Sequence, residues 1–146
     1  KTFKNELERF EQIIHRTTKF IQFNLGVTSV FETYRNVLAM EEAEDFSLGY
    51  HDKMGYRAST AVPFRFYDLG NEIETSLFLY SLVATEEVLR NTDAFTAFQK
   101  LKQLKNQIPT ASGIHTFSVT NAILSPHNNN KPWKEAYVNY ITENDR

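Results

Sequence analysis

Phe3, Leu7, Phe10, Ile13 and Ile14 recur at helical spacing with charged residues between them, so FKNELERFEQIIHR at 3–16 predicts an amphipathic surface helix. TTKFIQFNL at 17–25 changes to β-branched and aromatic residues in alternation, which predicts a short strand ended by Gly26. A second helix is expected from TSVFETYRNVLAM, where Thr28 or Ser29 precedes Glu32 in a capping-box arrangement. The acidic run EEAEDFSLGY turns apolar at Phe46 and Leu48 and predicts a strand ending near Tyr50. ETSLFLYSLVA at 74–84 is the most strand-like stretch and reads as a strand covered on both faces. TDAFTAFQKLKQLKNQI opens on a Thr or Asp cap and carries Phe95, Phe98, Leu101 and Leu104 at steps of three, predicting a helix stopped by Pro109. GIHTFSVTNAIL gives a further β-rich segment, SPHNNNKP a polar loop, and WKEAYVNYITEN a last helix opening just after Pro132.

This alternation of helix and strand is that of βα units, which predicts an α/β fold with mostly parallel strands and outer helices. With 146 residues, one domain is expected. Working residues in such folds gather in loops after strand ends, which singles out 51–70 and 125–132. In the first of these, GYRASTAVPFRFYDLG at 55–70, Pro63 cannot sit inside a central ladder, so the stretch reads as a strand end leading into an ordered loop.

Composition narrows the chemistry. Sixteen Lys and Arg against eighteen Asp and Glu leave no basic field for nucleic acid. No apolar run approaches the roughly 20 residues that span a bilayer. The absence of cysteine excludes disulfides, thiolate metal sites and a cysteine nucleophile. Twelve Phe and seven Tyr supply amphipathic ring surface for a core or for a groove that stacks on sugars.

Arg57 and Asp68 bracket the 55–70 stretch: the arginine either orients a catalytic carboxylate or forms a structural pair that fastens the loop. Phe64, Phe66 and Tyr67 either line a groove or join the core. His127 lies in a polar loop after an apolar segment, where imidazole can protonate a leaving group, or is a surface histidine among asparagines. His15 and His115 read as structural. Glu41, Glu42, Glu44, Asp45, His51 and Asp52 match no metal-ligand spacing and read as a solvated acidic loop.

The stretch DFSLGYHDKMGYRASTAVPFRFYDLGNEIETSLFLYSLV, with ETYRN before it and LSPHNNNKPWKEAYVNYI after it, resembles the C-terminal half of bacterial polysaccharide deacetylase-like proteins of the NodB-homology type. The resemblance runs from about residue 6 to the C-terminus. It implies a partial (β/α) barrel whose missing N-terminal half carries an Asp-Asp pair and a His-x-x-x-His; neither motif occurs in this chain. In the family a divalent metal, zinc or similar, assists hydrolysis of acetyl groups from a carbohydrate. Carried over residue by residue, Arg57 orients the catalytic aspartate, and His127 is the general acid. Pro63, Phe66 and Tyr67 form the groove wall, Asn128 is a substrate contact, and Asp68 is a loop-fixing carboxylate. The chain departs from the pattern at Gln22, Thr85 and Pro126, where relatives tend to have His, Asp and Trp. The resemblance therefore implies a chain inactive alone, with a non-catalytic carbohydrate-binding module as the alternative.

Overall fold

A computed structural model describes residues 3–23, 30–38, 43–108, 112–125 and 130–144. The chain divides into two compact units, one of residues 1–48 and 63–80, the other of 49–62 and 81–146.

The first unit opens with α1 (Phe3–Ile14), β1 (Phe20–Ile21), α2 (Val30–Val37) and β2 (Glu44–Leu48). It continues with β3 (Phe64–Asp68) and the first part of β4 (Ile73–Thr85), in the strand order β1-β2-β4-β3. β1 and β2 are parallel, with Phe20 opposite Glu44. β3 and β4 are antiparallel, with Phe64 opposite Leu79 and Asp68 opposite Ile73. A strand sends successive side chains to opposite faces. On one face Ile21, Ala43, Phe66, Leu77 and Leu79 are buried against Tyr34 and Val37 of α2.

The 55–70 stretch differs from its expected order. Its loop comes first and its strand second: Phe64–Asp68 form β3, directly after Pro63. Phe66 and Asp68 alternate inward while Arg65 and Tyr67 point out. β3 is an end strand of the sheet, where a preceding proline costs no ladder bond.

The second unit holds the remainder of β4, then α3 (Glu86–Leu89), α4 (Ala94–Asn106), β5 (Thr116–Ser118), a 3-10 turn at Asn121–Leu124 and α5 (Lys131–Asn144). β5 runs parallel to β4, and Thr116 Oγ1 donates to the Ser81 carbonyl at 2.7 Å. Thr85 Oγ1 accepts from Val88 N and caps α3; Asp93 accepts from Thr96 N at 3.0 Å and caps α4. Here Val83, Ala84, Val88, Leu89, Ala97, Phe98, Leu101, Ile123 and Tyr140 form the core. The Phe98 ring sits among Phe117, Trp133, Tyr137 and Tyr140, with centroids 5.5–6.4 Å away.

The architecture is mixed α/β, with β1–β2 and β4–β5 parallel and the β3–β4 hairpin antiparallel. Among the described residues no helix is long and apolar enough to cross a membrane.

The steps of three along α4 do not all face inward: Phe98 and Leu101 are buried, but Phe95 is 71% exposed. Phe98→Ala should therefore cost roughly 3–5 kcal/mol in urea unfolding, and Phe95→Ala less than about 0.5 kcal/mol. Equal losses would contradict this core assignment.

Candidate functional site

Consecutive residues of α2 hold two buried carboxylates in the first unit. Tyr34 donates its hydroxyl to Asp45 Oδ1 at 3.0 Å, and Arg35 forks onto Asp68 with contacts of 3.0 and 2.7 Å. Asp45 also accepts from Ser47 N and from Ser47 Oγ, which itself accepts from Phe23 N. Burial outweighs these hydrogen bonds and raises the Asp45 carboxyl above the usual carboxylate range.

Asp68 is the opposite case. The Arg35 guanidinium, first among its causes, holds Asp68 far below the ordinary range, helped by Asn71 Nδ2 and Gly70 N. Asp68 thus fastens the turn after β3, as expected of a loop-fixing carboxylate, but through Arg35 of α2. A Cβ on Gly70 would run into that guanidinium, so any larger residue there requires the Arg35 fork to shift.

Arg57 belongs to the second unit, is exposed, and donates to the Gly49 carbonyl at 3.3 Å. Pro63 is half-buried at the head of β3. Phe66 is a core residue, edge-on to the Tyr34 ring with centroids 5.1 Å apart. Neighbours on a strand face opposite ways, so of this pair only Tyr67, 48% exposed, is open to a ligand. His127 and Asn128 lie outside the described residues, and so do Glu41 and Glu42.

The second face of the first unit's sheet was missed by sequence reasoning. The Phe46 ring stacks on Tyr80 at 4.4 Å and meets Phe20 edge-on at 5.9 Å. Arg65 lies over the Phe78 ring at 4.8 Å and reaches Glu74 at 3.5 Å. Glu44 hydrogen-bonds Tyr80, whose hydroxyl is raised chiefly by burial. Phe46 and Tyr80 occupy one another's faces, so the accessible ring surface belongs to Phe20, 65% exposed, and Tyr67. Apolar ring surface beside Arg65, Glu44 and Glu74 suits a ligand with both C–H faces and hydroxyls. The alternation of 74, 76, 78 and 80 against 75, 77 and 79 carried this information.

In the second unit His115 Nδ1 lies 2.7 Å from the Tyr56 hydroxyl, while its Nε2 is buried without a partner among the described residues. Burial, helped by Lys105, pushes the imidazole down to about 4; burial pushes Tyr56 up to about 12. Half-buried and kept neutral, His115 braces Tyr56 through Nδ1. Among the described residues no three His, Asp or Glu side chains could hold a metal ion. Comparison with family models, curated proteins and solved structures finds no match.

Two pH effects follow. The folded state binds fewer protons at His115 than the unfolded chain between about 6.5 and 4, so stability falls as pH drops through that window. Relative to His115→Gln, which keeps an acceptor for Tyr56, the natural protein should lose up to about 3 kcal/mol between pH 7 and pH 4 in urea titrations; parallel curves would refute this. Asp68 stabilises above its unfolded pKa and ceases to do so as pH falls below the carboxylate range. Arg35→Gln and Gly70→Ala should both lower the melting temperature at pH 7 and flatten the acid limb below pH 4. A Gly70→Ala protein with natural acid sensitivity would show that Arg35 tolerates the methyl group.

Proposed function

We propose that this chain is the carbohydrate-holding portion of a polysaccharide deacetylase-like barrel of the NodB type, and that it binds sugar without hydrolysing it alone. The observation that carries this reading is the two-sided sheet of the first unit. One face is covered by α2, while the other presents Phe20, Phe46, Phe78 and Tyr80 with Tyr67 at the edge and charges between them. In a closed barrel the face away from the helices turns inward and is filled or lined by side chains. Aromatic rings interspersed with charged groups are what a saccharide-lining wall requires.

In the complete protein the divalent metal implied by the resemblance would polarise the acetyl carbonyl and lower the pKa of bound water. The chain lacks the Asp-Asp and His-x-x-x-His motifs, and its described residues supply no ligand set for that ion. The roles left to this chain are its own. Arg57 orients a carboxylate, His127 protonates the departing amine or alcohol, and Tyr67 and Asn128 contact the sugar. Pro63 stiffens the approach to Tyr67.

Titration of an N-acetylated hexosamine oligosaccharide, followed by calorimetry or amide shifts, should give saturable binding that chelators leave unchanged, with no acetate released. Phe20→Ala or Tyr67→Ala should weaken it by about tenfold, equivalent to ~1.4 kcal/mol. Absence of saturable binding would end the proposal. So would acetate release that disappears in His127→Ala.

A further inference from the structure

The second unit contains a cleft of about 430 Å³, within the size range of small-ligand sites. One wall is the polar flank of α4, where Lys100, Gln103 and Gln107 recur at helical spacing. Asn91 and Thr92, in the turn after α3, form the second side, and the loop carrying Asp52 and Lys53 the third. Val88 and Leu104 give it an apolar floor.

The hydrogen-bonding capacity of this cleft is unspent. The side chains of Asn91, Lys100, Gln103 and Gln107 form no hydrogen bond or ion pair among the described residues. Lys102, on the same helix but outside the cleft, is instead paired with Glu143 at 2.7 Å. Lys53 rests over the Tyr50 ring at 4.5 Å, which fixes its ammonium without neutralising it. Two ammonium groups against one carboxylate leave the cleft cationic, and lysines hold phosphate as point charges. Three amides offer donors and acceptors together, as paired recognition of hydroxyl groups requires. Asp52 adds an acceptor for further hydroxyls.

We propose that this cleft binds a phosphorylated monosaccharide, with the phosphate on Lys53 and Lys100 and the hydroxyls on Asn91, Gln103, Gln107 and Asp52. The site is independent of the aromatic face, since none of its residues belongs to the first unit.

The test is calorimetric titration of the full chain with hexose 6-phosphate, the neutral hexose, a hexuronate and inorganic phosphate. Hexose 6-phosphate should bind with a sub-millimolar Kd, more tightly than the other three, and more weakly as salt rises. Lys100→Ala should raise the Kd about tenfold, the order expected for a charge-assisted contact, and Gln103→Ala about threefold. Lys102→Ala removes the same charge from the same helix and should leave the Kd unchanged. No saturable binding, or an equal loss in Lys102→Ala and Lys100→Ala, would overturn the site. Equal affinity for inorganic phosphate or the neutral hexose would overturn sugar phosphate recognition, and tighter binding of the hexuronate would overturn the phosphate assignment. Failure of the acetylated oligosaccharide to bind leaves this result unaffected, because that titration reads Phe20 and Tyr67.

Discussion

The cover demanded by Ile73–Thr85 governs the rest of the chain. An extended segment this apolar is stable only when its side chains leave water. Its first eight residues alternate, with Thr75, Leu77 and Leu79 inward, so a helix on one side suffices. From Ser81 to Ala84 four residues in a row are buried, and both sides need cover. In the second unit α3, α4, β5 and α5 supply the hydrophobic partners of Val83 and Ala84. In the first unit α2 supplies Tyr34 and Val37 for the inward set alone. The aromatic face is what this single cover leaves over, and the sugar-binding proposal rests on it.

Much of the layout was legible because hydrophobic period reports burial. The spacing of α1, the extent of β4 and the stop after α4 could each be read without partners, whereas the cover expected on both faces of β4 holds only from Ser81 to Ala84. α3 was missed because its four residues are too few to show a period; its presence is marked only by Thr85, which caps it at the end of the strand. Phe95 belongs to the row that marks α4 yet is exposed, because steps of three drift across a helix that turns every 3.6 residues and the stripe leaves the core at its start.

Pairings across long sequence separation were not legible. Asp68 finds Arg35 thirty-three positions away, and Tyr56 finds His115 fifty-nine positions away. The nearer candidate, Arg57, lies in a loop that contributes to the other unit. Sequence supplies the types of charge present, but the strand order decides which of them meet. Tyr34 and Arg35 are adjacent and project about 100° apart around α2, which lets one short helix serve acids on β2 and β3.

The two borders of the first unit's sheet carry one more implication. β1, at one border, is only two residues long. β3, at the other, begins after a proline, is interrupted by a bulge between Arg65 and Tyr67, and turns a cationic side chain outward. Short, kinked or charged margins offer a poor template for another chain's backbone. A surface rich in exposed rings is thereby kept from recruiting copies of itself through added strands, and can remain available to a soluble partner.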